Sequence, residues 1–332
     1  MKLRREAEAL LLKPPSIGRF VPDEHEVDAA EFIKTKDEVD AAEVGILGVP
    51  FDTAVVLRRG CRFGPDGVRQ ALMNSTSYEP GIDVDLSSGL QVVDFGDVDV
   101  LHTDVLKTHE RIETVVTELF RSGVFPLIIG GDHSIAFPHI KSLCRVTQGQ
   151  VGIIHFDAHL DLRTGHHGEI SSGTPFRRAL EELEGQVEPE NLVQVGINGW
   201  HNSAYYMNYA REQGIRVIPG REVHDRGIHS VIEEALGRAA RGVDAVFFTV
   251  DIDCLDIPWA PGTSCPNPGG LTMVQLLEAV YTIVQHPLVK GFDLVEVAPP
   301  LDIRDVTSYS GAALVMQCLG GLKRRKDKRG SL

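Results

Sequence analysis

Short apolar stretches recur along the chain, and each has the length of a β-strand. Their apolar residues are continuous instead of alternating with polar ones, which is typical of strands that are covered on both faces. The predicted strands are Val44–Val49, Leu90–Val93, Phe125–Ile129, Val151–Phe156, Leu192–Ile197, Ile215–Ile218, Ala245–Val250 and Gly291–Val297.

Segments with a helical spacing of apolar residues lie between these stretches. In the clearest of them, Val105–Arg121, apolar side chains three and four residues apart fall near one face. The other predicted helices are Pro175–Leu183, Ser203–Gln213, Ser230–Arg238, Thr272–His286 and Ser310–Leu322. Pro175 suits the first turn of a helix, and Thr272 suits an N-cap position.

The alternation of strands and helices predicts an α/β protein with a mostly parallel sheet of about eight strands and helices on both faces. Strand spacing alone permits either a closed barrel or an open sheet. Because the sequence has no Pro/Ser-rich linker and no internal repeat, we predict a single domain over residues 41–322. An N-terminal extension over residues 1–40 would precede it. A basic tail over residues 323–332, interpreted as a solvated terminus, would follow it.

The acidic balance of the chain disfavours several classes of partner. The 332 residues carry a formal net charge of −14, which argues against nucleic acid and against an anionic membrane surface. No apolar run approaches the roughly 20 residues that span a bilayer, and no secretory signal is recognisable. The five cysteines are scattered, which is typical of reduced thiols, so we expect a cytoplasmic protein without disulfides.

Polar clusters follow predicted strands directly and carry the candidate chemistry. Gly130–Ser134, Asp157–Asp161 and Asp251–Asp256 each come immediately after an apolar stretch, and Glu296 lies near the end of the last stretch. Parallel sheets place their ligand sites at the carboxyl ends of the strands. The sequence therefore predicts that these side chains meet at one edge of the sheet.

The spacing within these clusters favours a metal centre. Asp157, His159 and Asp161 fall at alternate positions, as do Asp251 and Asp253, so each set shares one face of an extended strand end. Converging buried carboxylates cost several kcal/mol unless a cation compensates them. Carboxylates with a few imidazoles suit a hard or borderline ion such as Mn²⁺, and a pair of ions would activate water near neutral pH. Any one cluster could be a cap or a turn, but their joint occurrence favours metal binding.

Other kinds of site fit the sequence less well. Zinc sites with thiolate ligands use paired cysteines at short spacing, and Cys254 and Cys265 are too far apart for this. Gly130-Gly131 is followed at once by acidic and imidazole side chains, which disfavours phosphate binding. Cys254 fits a small apolar core residue better than a nucleophile.

With these motifs, the sequence resembles the ureohydrolase superfamily, which contains arginase, agmatinase, guanidinobutyrase and formimidoylglutamase. The resemblance runs from about Val44 to about Gly321. Its motifs are Gly130–Ser134, His155–Asp161, Asp251–Asp256 with Ala260–Thr263, Gly269–Leu271 and Glu296-Val297. It implies a three-layer α/β/α fold with a mostly parallel sheet, a centre of two Mn²⁺ ions, and a homotrimer or homohexamer.

Every metal-ligand position of the superfamily carries the expected residue type in this chain. The resemblance implies a deeper ion that is held by His133, Asp157, Asp161 and Asp251. It implies a second ion that is held by Asp157, His159, Asp251 and Asp253, so that Asp157 and Asp251 bridge the two. Ni²⁺ or Co²⁺ accept similar ligands.

The resemblance also implies a reaction. Glu296 matches the acid of the superfamily that accepts the amidinium or guanidinium group of the substrate. A planar cation with a fork of N–H donors suits a carboxylate, and this contact orients the electrophilic carbon. The implied reaction is metal-assisted hydrolysis of a C–N bond in a linear amidine, with Glu296, Asp157 and Asp251 as catalytic residues.

The position before Gly173 bears on the substrate. Arginases and agmatinases carry a proton-shuttling His there, whereas this chain carries Ser172. The Ser-Ser-Gly-Thr loop looks more like formimidoylglutamase, and so does Gly196–Ser203, which lacks the carboxylates of arginases. We therefore expect cleavage of N-formimino-L-glutamate to L-glutamate and formamide. The alternative is a guanidino hydrolase, such as an agmatinase or a guanidinobutyrase, that releases urea.

A dicarboxylate substrate requires Arg and amide donors near the mouth of the site. The candidate substrate-binding residues are Arg163, Ser172, Arg177, Asn198 and Asn202. Three loop arginines suit either an anionic-substrate mouth or a salt-bridged subunit interface: Arg58, Arg59 and Arg62.

Some features leave other activities open. His166 or His167 could replace the missing imidazole, and Glu169 suits the ammonium group of agmatine.

A zinc-dependent deacylase of the related fold would keep one ion and would not need both Asp161 and Asp253. A non-catalytic relative would have lost a ligand, so the complete ligand set argues against these two classes.

Overall fold

A parallel β-sheet forms the central layer of the molecule. The computed structural model describes residues 23, 25–39, 41–165 and 170–330, and nine strands of this sheet lie within them. In chain order the strands are β1 (Ile33–Thr35), β2 (Val44–Gly48), β3 (Tyr78–Glu79), β4 (Val84–Asp85), β5 (Val92–Asp97), β6 (Phe125–Ile129), β7 (Val151–Phe156), β8 (Leu192–Ile197), β9 (Arg216–Pro219), β10 (Ala245–Asp251) and β11 (Val289–Val295). Strands β3 and β4 form a separate antiparallel pair.

The main sheet is open and entirely parallel. Its strand order is β1-β5-β2-β6-β11-β10-β7-β8-β9. Strands β1 and β9 lie at opposite edges of the sheet and do not pair with each other. The sheet is therefore open and does not close into a barrel. The predicted α/β class is confirmed. The second predicted strand lies a few residues later than expected, at Val92–Asp97.

Helices cover both faces of the sheet. In chain order they are α1 (Ala29–Phe32), α2 (Gly64–Leu72), α3 (Val105–Arg121), α4 (Ala136–Val146), α5 (Pro175–Glu182), α6 (Ala204–Gln213), α7 (Gly220–Arg226), α8 (Ile228–Ala239), α9 (Met273–Ile283) and α10 (Val306–Gly330). Helices α2, α8, α9 and α10 pack into one core, whereas α3, α4 and α5 pack on the other side. Adjacent residues of β10 point into opposite cores, with Phe248 in the first and Phe247 in the second.

The folded part of the chain begins before residue 41, the expected boundary. Strand β1 pairs in parallel with β5, and α1 packs directly before it. The sequence prediction missed β1 because Ile33–Thr35 has only three residues and includes a lysine. Residues 1–22 of the expected extension lie outside the described residues.

The expected separate basic tail is the end of helix α10, which continues through Gly330. The Arg324 guanidinium donates to the carbonyl oxygen of Ile82 at 2.6 Å, and the Arg325 guanidinium donates to that of Val289 at 2.9 Å. Lys326 lies 2.6 Å from the Glu43 carboxylate. Backbone carbonyls and an acidic side chain hold these residues against the body of the protein, while the Lys326 side chain stays 46% exposed. No helix in the described part of the chain is long and apolar enough to cross a membrane.

Candidate metal centre

Four adjacent strands in the middle of the sheet bring the predicted ligands together. Strands β6, β11, β10 and β7 are neighbours in that order. His133 follows β6, Glu296 follows β11, Asp251 ends β10 and Asp157 follows β7. Because all four strands are parallel, their carboxyl ends meet at one edge. The strand-end clusters of the sequence thus form one site, as expected.

The backbone at this edge adopts conformations that aim side chains inward. Asp161 and Glu296 have φ values of 48° and 66°, in the left-handed region that non-glycine residues seldom occupy. Such conformations concentrate at functional sites, where surrounding structure holds them in place. Gly131 permits a close backbone approach, since a Cβ there would lie 1.6 Å from the Phe51 carbonyl oxygen.

His133 lies at the centre of the first cluster. Its Nδ1 atom is 3.0 Å from Asp157 Oδ2, 3.1 Å from Asp161 Oδ2 and 3.5 Å from Asp251 Oδ2. The opposite ring atom, Nε2, lies 2.9 Å from the Thr249 hydroxyl oxygen, which fixes the orientation of the ring. These are the four residues that the sequence assigns to the deeper ion, and all of them are buried.

His159 lies at the centre of the second cluster. Its Nδ1 atom is 3.2 Å from Asp157 Oδ1 and 3.1 Å from Asp253 Oδ2. Asp157 therefore contacts both clusters, one with each carboxylate oxygen. The Asp253 N–H donates to Asp251 Oδ1 at 2.8 Å, which couples the other two carboxylates of the expected second set.

The sequence prediction missed a buried histidine that positions Asp157. His155 Nε2 lies 2.8 Å from Asp157 Oδ2, and the Gln194 amide donates to His155 Nδ1 at 3.0 Å. Burial lowers the pKa of His155, so the neutral ring accepts from Gln194 and donates to Asp157. His155 lies inside an apolar strand, and only its place in the family motif distinguishes it in the sequence.

The carboxylates are crowded in a buried space. Burial raises the pKa of Asp251 well above its ordinary value, and the neighbouring Asp253 and Asp157 add to this effect. Burial likewise raises the pKa of Asp253 and of Asp161. Burial also opposes the ionisation of Asp157, but the imidazoles around it hold its pKa well below the usual range. A cation at this position would favour the ionised form of every carboxylate.

The donor set fits divalent cations. Four buried carboxylates and two imidazoles converge without a thiolate among them, which suits a hard or borderline ion. Two of the groups whose ligand atoms lie within 4.8 Å of one another contain Asp157: His133-His155-Asp157-Asp161 and Asp157-His159-Asp253, while Asp251 belongs to neither. The two groups share Asp157, as a bridged pair of ions would require.

Glu296 is placed beside the centre. Its Oε1 atom accepts the His133 N–H at 3.0 Å, and Oε2 has no hydrogen-bond partner among the described residues. Burial, with the nearby Asp132 charge, raises the pKa of Glu296 to about 8. A buried carboxylate oxygen without a partner at the edge of a cavity is suited to receive a cationic ligand.

A cavity of about 130 Å³ opens above these side chains. Two of the predicted substrate-binding residues, Arg163 and Ser172, line it together with His133, His159, Asp161, Asp251, Asp253 and Glu296. A Cβ at Gly173 would lie 2.6 Å from Arg163 Cδ, so the glycine allows this arginine to cross the loop. The Ser172 hydroxyl accepts the Val56 N–H at 3.1 Å.

Arg177, Asn198 and Asn202 do not line this cavity, contrary to expectation. Arg177 lies on α5, where its guanidinium is 3.9 Å from the Tyr209 ring centroid and pairs with Glu181. The side-chain amide of Asn198 donates to the Pro268 carbonyl at 2.9 Å, and that of Asn202 donates to the Ala158 carbonyl at 2.8 Å. Arg177 thus packs between helices α5 and α6, whereas Asn198 and Asn202 hold loop backbones together.

The remaining candidates lie either outside the lining of the cavity or outside the described residues. Arg58 donates to the Thr263 and Ser264 carbonyls at 3.0 Å, and Arg62 pairs with buried Asp52. Both arginines therefore hold loops of this chain together, while Arg59 is exposed. The other candidates, His166, His167 and Glu169, lie outside the described residues.

Three polar residues that line the cavity were not predicted from the sequence: His201, Ser264 and Cys265. His201 lies in the Gly196–Ser203 segment, which the sequence had marked as unusual only for its lack of carboxylates. Ser264 and Cys265 follow the Ala260–Thr263 motif. The one sequence signal that could have identified Ser264 and Cys265 as cavity residues was their position directly after this motif.

Comparison with known proteins agrees with this geometry. The sequence model of the arginase family matches residues 42–320. The formimidoylglutamase of Halalkalibacterium halodurans is 36% identical over 90% of this chain and 93% of that protein. The guanidinopropionase of Pseudomonas aeruginosa is 37% identical over 84% of this chain and 86% of that protein.

Solved structures show the same fold. The crystal structure of formimidoylglutamase from Bacillus subtilis superposes with a TM-score of 0.88 at 34% identity, over 96% of this chain and 98% of that chain. The crystal structure of Trypanosoma cruzi formiminoglutamase with Mn²⁺ superposes with a TM-score of 0.82 at 26% identity, over 90% of this chain and 98% of that chain.

Proposed function

This chain belongs to the arginase family of hydrolases, which act on amidino C–N bonds, and we propose that its substrate is N-formimino-L-glutamate. Hydrolysis would release L-glutamate and formamide. Formimidoylglutamases with more than a third of their residues identical over most of the chain support this proposal. Guanidino hydrolases of similar identity make a guanidino acid the alternative.

One observation carries the choice of substrate class. Arg163 and Ser172 line the mouth of a cavity whose inner surface holds the carboxylate cluster and Glu296. A substrate with a cationic amidine at one end and carboxylates at the other matches this order of charges. Agmatine, which ends in an ammonium group, would place its second cation near Arg163 and is disfavoured.

We propose that the metal centre holds two Mn²⁺ ions, with Ni²⁺ or Co²⁺ as substitutes. His133, Asp157, Asp161 and Asp251 would hold the deeper ion, and Asp157, His159, Asp251 and Asp253 the outer one. Bound there, the ions would act as Lewis acids and supply an activated water at neutral pH. The convergence of these side chains and the Mn²⁺-containing structural relative support this assignment.

Glu296 would bind and orient the amidinium group. Its Oε1 atom accepts the His133 N–H, and the buried Oε2 atom, which has no hydrogen-bond partner among the described residues, is the oxygen that we assign to the substrate. An amidinium N–H that donates to Oε2 would present the electrophilic carbon to the carboxylate cluster. Because Glu296 is buried, such a contact would be strong and would exclude water from the reacting end.

The first test is the release of formamide from N-formimino-L-glutamate by the Mn²⁺-loaded protein. Rapid turnover in the parent chain is expected, with a loss of at least about 100-fold in kcat/KM for Glu296→Gln. Urea release from 3-guanidinopropionate and 4-guanidinobutyrate is measured in parallel. Preferred hydrolysis of either guanidino acid would overturn the proposed substrate in favour of the alternative.

We also propose a homotrimer or homohexamer in the cytoplasm. The resemblance to the family supports the assembly, and the five cysteines, all free in this structure, are compatible with a reducing compartment. Analytical ultracentrifugation of the Mn²⁺-loaded protein tests the assembly, and a monomer would contradict it.

A further inference from the structure

Three side chains at the mouth of the cavity form a group that the proposed catalysis does not use as a set. His159, His201 and Cys265 each offer one ligand atom, and these atoms lie within 4.8 Å of one another. They come from the loops after β7, β8 and β10, so the tertiary fold brings them together. His201 is exposed and Cys265 is half-buried, which leaves the group open to solvent.

A buried asparagine organises this group. The Asn267 amide donates to the Cys265 carbonyl at 3.0 Å, and its Oδ1 atom lies 3.0 Å from His201 Nδ1. The same amide nitrogen is 3.4 Å from His159 Nε2. Asn267 is only 1% exposed, so it contacts all three residues from the interior of the protein.

The backbone is also adapted to this contact. Gly199, two residues before His201, has a φ of 79°, and a Cβ there would lie 2.3 Å from Asn267 Oδ1. A glycine is therefore required for the His201 loop to reach Asn267. The close approach of the two loops shows that the group is part of the packed structure.

The chemistry of the group differs from that of the carboxylate centre. One thiol and two imidazoles form a soft to borderline donor set, which favours Zn²⁺ or Co²⁺ over Mn²⁺. Three protein ligands leave one tetrahedral position for water. Binding would displace the thiol proton to solvent, as metal ligation of cysteine requires.

We propose that His159, His201 and Cys265 form a distinct mouth site for a thiophilic divalent cation such as Zn²⁺. His159 Nδ1 faces Asp157 and Asp253, so this residue belongs to both the mouth site and the proposed outer Mn²⁺ site. An ion in the mouth site competes with the outer ion for His159 as a ligand. Binding of Zn²⁺ at the mouth site would therefore displace Mn²⁺ from the outer site. The displacement of Mn²⁺ rests on the proposed function, whereas the binding of Zn²⁺ at the mouth site does not.

Absorption spectroscopy with Co²⁺ tests the site directly. Cysteine ligation produces a thiolate-to-Co²⁺ charge-transfer band in the near ultraviolet, which carboxylate and imidazole ligands do not produce. We expect this band on titration of the metal-free parent chain and its loss in Cys265→Ser. Cys144→Ala, which removes a buried thiol of α4 outside the cavity, is the matched control and should keep the band. His201→Ala should weaken Co²⁺ binding at this site at least about tenfold.

Competition with Zn²⁺ tests the shared ligand. Addition of Zn²⁺ to the Mn²⁺-loaded parent should release Mn²⁺, detected by its electron paramagnetic resonance signal, and release should be reduced in Cys265→Ser. Absence of the charge-transfer band in the parent, or its persistence in Cys265→Ser, would overturn the mouth site. Failure to hydrolyse N-formimino-L-glutamate while the band is present would instead count only against the proposed function.

Discussion

At the scale of single residues, Asp157 connects the parts of the site. One of its oxygens faces His133 and His155, and the other faces His159. Each of these imidazoles is oriented by another group, and His133 is bonded to Thr249. A change at a single ligand therefore acts on neighbouring ligands as well, because the side chains share hydrogen bonds.

Asp253→Asn should remove the outer ion selectively. The substitution keeps the size of the side chain but removes a charge 3.1 Å from His159 Nδ1. We expect metal content to fall toward one ion per chain and kcat/KM to fall at least about 100-fold. Elemental analysis and a turnover assay measure the two effects.

Asp256→Asn is the matched control for this variant, because Asp256 lies in the same loop and accepts backbone N–H groups of Ile257 and Gly269. Its metal content should stay at the parent level. Near-normal turnover of Asp253→Asn with one ion bound would contradict a dinuclear mechanism.

Ser172→His tests the identity of the loop residue that separates the two substrate classes. Ser172 lines the cavity, so an imidazole there would reach the reacting end. We expect urea release from 4-guanidinobutyrate to rise, since the ring can shuttle a proton to the leaving amine.

Ser172→Ala controls for the lost hydrogen bond from the Val56 N–H, which the serine hydroxyl accepts. Steady-state kinetics on both substrate classes distinguish the two variants. A histidine variant with no gain over the alanine variant would argue that residue 172 is not equivalent to the shuttle position.

At the scale of elements, the loops after the strands carry the chemistry and the helices support them. Helix α10 shows how a terminal element is held. Arg325 Nη1 lies 3.3, 3.2 and 2.9 Å from the carbonyl oxygens of Val284, His286 and Val289, where α9 ends and β11 begins. Carbonyls at the end of a helix lack internal donors, so this arginine satisfies groups that would otherwise need water.

Arg325→Met should therefore destabilise the protein although it lies in the basic segment near the chain terminus. Methionine keeps the aliphatic stem but leaves these carbonyls without the guanidinium donor. We expect the free energy of unfolding to fall by about 1–3 kcal/mol, measured by urea denaturation of the metal-loaded protein. Lys328→Met, which removes one exposed hydrogen bond to Gln285, should change it by less than about 0.5 kcal/mol. Equal losses of unfolding free energy in the two variants would contradict a specific stabilising role of Arg325.

At the scale of the whole molecule, folding gathers carboxylates that repel one another into a buried site. Burial raises the pKa of Glu296 to about 8 and that of Asp132 to about 7, and it raises the pKa of Asp251 as well. The folded metal-free protein therefore retains protons that the unfolded chain has already lost at neutral pH. Raising the pH then favours the unfolded state, because the folded state binds more protons.

Metal-free protein should accordingly lose stability as the pH rises from 6 to 8. The slope for a single group that keeps its proton only in the folded state is about 1.4 kcal/mol per pH unit. Thermal or urea unfolding after chelation measures it, and Glu296→Gln should make the slope shallower. Mn²⁺-loaded protein should be more stable, with the largest gain at pH 8. A metal-free protein whose stability increases over this range would contradict the assigned direction of these pKa shifts.

The amino-acid sequence by itself determined eight of the nine strands of the main sheet, six of the ten described helices and the positions of the candidate ligands. Continuous apolar runs mark buried strands, and carboxylates directly after them can only lie at a sheet edge, so both features are local. The tertiary structure alone decided that Arg163 reaches the cavity while Arg177 stacks on Tyr209, and that His155 supports Asp157. It also decided that β1 joins the sheet and that Arg325 holds α9, because these outcomes depend on contacts between residues far apart in the chain. Side-chain direction and partner are set by packing, which a single stretch of sequence does not contain.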